Sequence, residues 1–130
     1  MENKNILLKK YINKILSESN NRMDQMFLNN KNFDIFIQGK PSLSGDKISI
    51  VGKSIEDSMF LYDKLNNWLS NHNIAHKFGT KKRVSHPDPN QSKKLVTIYV
   101  PDDMDIQKLL IKIEYLIKSY TGWGINYIYI

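Results

Sequence analysis

The strongest constraint on the fold is a pair of long segments whose apolar residues recur with helical spacing on one side only. The first segment spans residues 54–73 and the second spans residues 101–117. Their apolar stripes are Ile55, Met59, Tyr62, Leu65, Trp68 and Leu69 in the first, and Ile106, Leu109, Leu110, Ile113, Leu116 and Ile117 in the second. A helix with one apolar side is stable only when that side packs against another layer. The pattern therefore predicts two helices that cover a sheet.

Both helical segments begin with polar residues that suit a helix N-terminus. Ser54 and Asp57 form a Ser-x-x-Asp pattern, in which the hydroxyl accepts a hydrogen bond from the third helical amide and the carboxylate accepts one from the capping residue. Pro101, Asp102 and Asp103 precede the second stripe, and aspartates at that place interact favourably with free amides and the helix dipole. We therefore predict helix starts at Ser54 and at Pro101–Asp103.

Five shorter segments have the alternating or β-branched composition of strands. They span residues 32–39, 47–52, 74–79, 94–100 and 125–130. The turn-forming residues of segment 40–46 would join the first two strands as a hairpin. The resulting order, ββαββαβ over residues 32–130, predicts an α+β fold. We expect a two-layer sandwich with a mostly antiparallel five-stranded sheet and two long helices on one face.

An extra N-terminal helical segment, residues 2–28, precedes this core. Apolar residues at helical spacing run through residues 2–18, and residues 22–28 predict a further helical turn. A chain of 130 residues fits a single domain spanning residues 1–130. Because the N-terminal helix lies outside the core pattern, it is a candidate element for docking to a protein partner or for self-association.

The composition excludes several classes of site. The chain has no cysteine, which removes disulfides, thiolate catalysis and cysteine-ligated zinc. His72, His76 and His86 have too few additional ligands nearby to predict a metal site. No Gly-rich phosphate loop is present, and we expect no cofactor. Lysines interrupt the apolar residues of the N-terminus, so the sequence predicts neither a secretory signal nor a membrane span, and we expect a cytoplasmic protein.

Positive charge is concentrated in one segment. The whole chain carries a net charge of +6, and residues 77–94 hold six basic side chains and one acidic side chain, a net charge of +5. A concentrated charge of this kind recruits anions. The candidate anion-binding residues are Lys81, Lys82, Arg83, His86, Lys93 and Lys94. Two alternatives to an anion-binding role remain open. One is that the segment is an extended, solvated loop around two prolines, and the other is that AT-rich codons account for part of the lysine content.

Aromatic residues on or near the predicted strands suggest a second kind of anionic partner. They are Phe78, Tyr99, Trp123, Tyr127 and Tyr129. Aromatic rings beside lysines are a feature of single-stranded nucleic-acid binders, because unpaired bases stack on the rings. The alternative is that these aromatic residues pack in the core.

From Lys47 onward the chain resembles the N-terminal lyase domain of the class III lanthipeptide synthetases, which is similar to the bacterial phosphothreonine lyases. The family pattern Lys-x-His-x-Ser corresponds to residues 47–51, KISIV, and Phe-Lys-Phe corresponds to His76-Lys77-Phe78. The family pattern Gly-Lys-Phe-Ile-Thr-Val-Tyr-Pro corresponds to residues 93–101, KKLVTIYVP. The resemblance ends with a second helix and with the sequence GWGI at residues 122–125, so it covers residues 47–130.

The resemblance implies elimination of phosphate from phosphothreonine or phosphoserine. In the family a lysine removes the α-proton, a histidine protonates the leaving group and basic residues hold the phosphate. Lys47 and Lys77 match the family lysines and would be the catalytic residues of an active lyase. The histidine position is Ser49 here, and a hydroxyl is a poor acid near neutral pH. This departure implies a degenerate member that binds an anion without turnover.

Three functional hypotheses follow from the sequence. The first is a small basic protein, without catalytic activity, that binds a phosphorylated peptide or another polyanionic partner. The second is a nucleic-acid-binding or protein-inhibiting accessory module, such as a phage-encoded factor. The third is an active phosphothreonine or phosphoserine lyase with an unorthodox acid.

Overall fold

The computed structural model describes residues 22–43, 45–118 and 127–129. Its strands are β1 (Asp34–Ile37), β2 (Lys47–Val51), β3 (His76–Gly79), β4 (Lys94–Tyr99) and β5 (Tyr127–Tyr129). Its α-helices are α1 (Ile55–Asn71), α2 (Lys81–Val84), α3 (Pro89–Ser92) and α4 (Ile106–Ile117), and a π-helical segment spans Asp24–Leu28. The α+β class predicted from the sequence is confirmed. The predicted order of β1 to β4, α1 and α4 is also observed.

The strands form one sheet in the order β1-β3-β4-β2-β5, and every neighbouring pair is antiparallel. The predicted hairpin between the first two strands is wrong. Strand β1 pairs with β3, from Asp34 opposite Gly79 to Ile37 opposite His76, whereas β2 lies between β4 and β5. Strand β1 lies at the edge of the sheet, so it is only half-buried and its Phe36 is exposed. Strand β2 lies between two other strands and holds the buried residues Ile48 and Ile50.

The core is one cluster of buried side chains from the strands and from the two long helices. Its fully buried side chains include Ile48, Ile50, Phe78 and Ile98 from the strands and Leu61, Leu65, Leu69 and Ile113 from the helices. Phe27 from the π-helical segment joins them, and its ring lies edge-on to Tyr62 at 5.4 Å. The predicted helical turn at residues 22–28 is therefore present and packs against α1.

Helix α1 begins as predicted. Ser54 is the N-cap, the Asp57 amide donates to the Ser54 hydroxyl, and the Asp57 carboxylate accepts from the Ser54 amide. Asp57 is fully buried, and its carboxylate accepts a second hydrogen bond from the Lys53 amide, which helps to offset the lost hydration.

The predicted start of the second long helix is wrong. Helix α4 begins at Ile106, and its N-cap is Asp105, which accepts from the amides of Gln107 and Lys108. Asp102 instead accepts a hydrogen bond from the Leu43 amide, and Asp103 forms an ion pair with Lys40. These two aspartates hold the segment that follows β1 and do not cap the helix.

The connection from β3 to β4 is more regular than the predicted extended loop. It contains the short helices α2 and α3. Asp88 caps α3 by accepting from the Asn90 amide. Pro89 occupies the first helical position, where a backbone N–H would have no intrahelical acceptor, so the proline loses no hydrogen bond. The predicted helix at residues 2–18 and the aromatic residue Trp123 lie outside the described residues. Within the part of the chain that the structure describes, no helix is long and apolar enough to cross a membrane.

Candidate anion-binding site

A polar recess lies on the side of the sheet that alternates with the buried core positions. Strand β2 contributes Lys47 and Ser49, β3 contributes Lys77, and β4 contributes Thr97 and Tyr99. Antiparallel pairing aligns these side chains, because Lys77 and Ser49 both pair with Thr97 and Lys47 pairs with Tyr99. The neighbouring residues Ile48, Phe78 and Ile98 point into the core, as expected when successive side chains alternate between faces.

The recess has a volume of about 150 Å³ and is closed on one side by the connection between β3 and β4. Its lining also includes Asp34 from β1, Lys94 from the start of β4, and Arg83 and Gln91 from the connection. Four cationic side chains, those of Lys47, Lys77, Arg83 and Lys94, therefore face one carboxylate, which leaves a net charge of +3. A concave surface with an excess of one charge concentrates the opposite charge.

Asp34 organises the cations on one wall. Its Oδ2 accepts from Arg83 Nη2 at 2.6 Å, and its Oδ1 accepts from Arg83 Nε at 3.3 Å. The Nζ of Lys77 lies 3.6 Å from the same Oδ2. Arg83 Nη1 donates to the Gln91 side-chain oxygen at 3.0 Å. These bonds fix the guanidinium in a bidentate geometry, and they commit most of its charge to the protein.

Lys47 and Lys94 are less enclosed than Arg83. Both residues are exposed, and the Lys47 ammonium lies 5.7 Å from the centre of the Tyr99 ring, within the range of a cation–π contact. Lysine ammonium groups on flexible stems act as point charges with three donors. The recess therefore combines a fixed arginine with lysines that can adapt to an anion.

The remaining predicted residues lie outside the recess lining. Lys82 donates to the Lys31 carbonyl oxygen at 3.0 Å, and its Nζ lies 4.7 Å from the centre of the Phe33 ring. The His86 ring lies 5.6 Å from the same ring, and its Nδ1 accepts from the Asp88 amide at 3.0 Å. Lys81 and Lys93 are exposed on the connection.

The structure thus forms two groups from the predicted site residues, and Lys81 and Lys93 belong to neither. Lys47, Lys77, Arg83 and Lys94 share the recess, whereas Lys82 and His86 surround Phe33. Asp34, Ser49, Gln91 and Thr97 line the recess but were absent from the predicted anion-binding residues, and Tyr99 was predicted only as an aromatic contact. Strand alternation alone could have identified Thr97 and Tyr99, because they alternate with the apolar residues of β4. No local signal links Asp34 to Arg83, which is 49 positions away.

Not every predicted aromatic residue lies on the open side of the sheet. Phe78 is fully buried, as the core-packing alternative expects, whereas Tyr99 is half-buried and lines the recess. Near the recess, exposed aromatic surface comes from β1 and the residue before it, where Phe33 is 38% exposed and Phe36 is 50% exposed.

His76 is the one described histidine that is fully buried. Burial lowers its pKa below the ordinary value of 6.5, because an imidazolium loses hydration there, and the hydrogen bond to the Ile74 carbonyl opposes that shift. A neutral imidazole has one N–H group, and here Nδ1 donates it to the Ile74 oxygen at 2.8 Å. Across residues 22–43, 45–118 and 127–129, no group of three or more His, Asp or Glu side chains could hold a metal ion.

No protein-family model matches the chain, and no curated protein matches it in sequence. The resemblance to the lyase domains of lanthipeptide synthetases therefore stays a hypothesis.

Proposed function

We propose that the protein binds a phosphorylated or polyanionic partner in the recess formed by Lys47, Lys77, Arg83 and Lys94. The observation that carries this proposal is the convergence of four cationic side chains from β2, β3, α2 and β4 against the single carboxylate of Asp34. Arg83 and Lys77 are partly balanced by Asp34, while Lys47 and Lys94 are exposed and add charge that an incoming anion can neutralise. Phosphate oxygens accept well from such donors.

We further infer a two-layer architecture in which α1 and α4 cover one face of a five-stranded sheet and the recess occupies the other face. The units β2-α1-β3 and β4-α4-β5 each place one strand of the other unit between their own two strands, which is the ferredoxin-like arrangement with β1 added at an edge. Such a fold supports many functions and does not choose among them. Among the described residues, both long helices pack on the face opposite the recess. A cytoplasmic location suits a protein without cysteines.

Binding is favoured over catalysis by the composition of the recess. An elimination needs a base and an acid within reach of one substrate. Lys47 and Lys77 could supply the base, but none of the described side chains that line the recess is a histidine, and His86 lies beside Phe33. Ser49, at the family position of the acid, is a weak proton donor near neutral pH. The lyase hypothesis predicts phosphate release from a phosphothreonine peptide that is lost in Lys47→Ala.

A calorimetric titration with inorganic polyphosphate and with a phosphothreonine peptide tests the proposal. We expect the double variant Lys47→Gln/Lys94→Gln to lose at least about tenfold in affinity for whichever anion binds, since a loss of about 1.4 kcal/mol of charge–charge interaction corresponds to that factor. The matched control is Lys112→Gln/Lys118→Gln on and after α4, which makes the same change of charge beside Tyr115. Equal losses in both double variants would mean that overall charge, and not the recess, binds the anion.

A further inference from the structure

An apolar cleft of about 450 Å³ adjoins the cationic recess. The two share Lys47 and Tyr99 in their linings, so they adjoin at these two side chains. The remaining lining of the cleft comes from Phe36, Gln38, Gly39, Pro41, Ser42, Gly45 and Ala75. A site of this shape suits a ligand that carries an anionic group next to a flat apolar group.

Phe36 is the exposed aromatic side chain of this cleft. Half of its surface is open, and its ring lies 5.9 Å from the Tyr99 ring at an interplanar angle of 58°. The two rings therefore do not stack on each other, and a planar ligand can use the exposed surface of Phe36. Phe36 on β1 pairs with Lys77 on β3, and Lys77 lines the recess.

A second pair of aromatic and cationic side chains lies at the other end of β1. Phe33 is 38% exposed, with Lys82 Nζ at 4.7 Å and Arg83 Cζ at 5.1 Å from its ring centre. Arg83 also binds Asp34, so it connects this pair to the recess. Exposed rings and cations thus extend along the edge strand beyond the space that one phosphate group fills. An extended surface favours a polymer over a small phosphate ester.

We propose that the polyanion is a single-stranded nucleic acid, with a phosphate in the cationic recess and an unpaired base stacked on Phe36 in the adjoining cleft. This proposal depends on the proposed anion-binding function and specifies its partner. Base stacking on an exposed ring needs a base that is free of a duplex, and it tolerates different sequences because every base has a flat face. Charge complementarity comes from the net charge of +3 in the recess.

The substitution Phe36→Leu tests the stacking contact, because leucine keeps an apolar side chain but has no aromatic face. The matched control is Tyr115→Leu on α4, which removes a 59% exposed ring that also has two lysine ammonium groups within 5.2 Å. Fluorescence anisotropy would follow a labelled oligothymidylate and an abasic oligonucleotide of equal length. Inorganic polyphosphate and a phosphotyrosine peptide would be added as competitors.

We expect Phe36→Leu to weaken oligothymidylate binding about tenfold, the size of one lost base–aromatic contact, while abasic binding stays unchanged. Tyr115→Leu should change the affinity for neither oligonucleotide. Phe36→Trp keeps an aromatic face and should bind oligothymidylate as the wild type does. Equal affinity of the wild type and Phe36→Leu for oligothymidylate would overturn the stacking proposal and leave the anion-binding recess standing. Preferential binding of the phosphotyrosine peptide would likewise replace nucleic acid as the partner. A protein that binds none of these anions would contradict both proposals.

Discussion

At the level of single residues, Asp34 decides how much charge the recess presents. It is 17% exposed, and the Arg83 side chain that binds it is 13% exposed, so neither charge is well hydrated. Replacing Asp34 with Asn would leave Arg83 and Lys77 without their anion. We expect a loss of about 2 kcal/mol in the free energy of unfolding, the usual size for a hydrogen bond between charged groups, together with tighter anion binding.

Urea denaturation and anion titration would measure the two effects of Asp34→Asn. Asp103→Asn is a useful control, because Asp103 forms an ion pair with Lys40 at the same distance of 2.6 Å but both side chains are more than half exposed. Exposed pairs contribute little. If Asp103→Asn were as destabilising as Asp34→Asn, burial would not be the reason for the importance of Asp34.

His76 gives a pH dependence whose sign follows from its burial. Its pKa is lowered in the folded protein, so below pH 6.5 the unfolded chain binds more protons at this position than the folded one. The contribution of His76 to stability is therefore complete above that pH and is lost as the pH falls from 6.5 toward the lowered pKa. We expect the free energy of unfolding to decrease over this range in the wild type and to decrease less in His76→Gln.

Chemical denaturation between about pH 7.5 and pH 5, above the range where most carboxylates titrate, would isolate this effect. His72→Gln is the control, because His72 is exposed at the end of α1. An unchanged pH dependence in His76→Gln would contradict the assignment. In the neutral ring Nε2 is an acceptor and lies 2.9 Å from Asn66 Oδ1, so a hydrogen bond forms there when the Asn66 amide is flipped and its nitrogen donates.

At the level of elements, the start of α1 provides a local test of the capping box. The Asp57 amide donates to the Ser54 hydroxyl at 3.3 Å, and Ser54→Ala removes this acceptor. We expect a loss of about 1 kcal/mol in stability, the typical value for an N-cap. The control Ser70→Ala changes an exposed serine near the end of the same helix and should have little effect, since alanine favours helices. Thermal melting of both variants would distinguish them.

The two long helices show what a sequence reveals about an element and what it does not. Ser54 and Asp57 interact with each other within one turn, so their pattern identifies the start of α1 correctly. Asp102 and Asp103 have the same local chemistry as helix caps, yet they bind Leu43 and Lys40, about sixty positions away. Local propensity could not predict this contact because the partner is brought near only by the fold.

At the level of the whole molecule, strand pairing was the least predictable feature. The turn residues of segment 40–46 favoured a hairpin, but β1 pairs with β3 and leaves β2 to pair with β4 and β5. This choice places the exposed Phe36 at the edge and the buried Ile48 and Ile50 in the centre. It also assembles the recess, since Asp34 meets Lys77 and Arg83 only when β1 lies beside β3. The lysines were therefore visible in the sequence, while their organising carboxylate was not.

The distribution of charge over the molecule predicts how binding depends on salt. The net charge of +6 is shared by the recess, the connection between β3 and β4, and lysines elsewhere, and only those that contact phosphates release counterions. For a single strand, each phosphate contact contributes about −0.7 to the slope of log affinity against log salt concentration.

We expect Lys47→Gln and Lys94→Gln each to reduce the magnitude of the slope by about that amount in an oligothymidylate titration. Lys112→Gln, which removes the same charge from α4, should leave the slope unchanged, because a long-range field affects affinity without releasing a bound counterion. A slope that responds equally to all three substitutions would mean that the partner contacts the whole surface and that the recess has no special role.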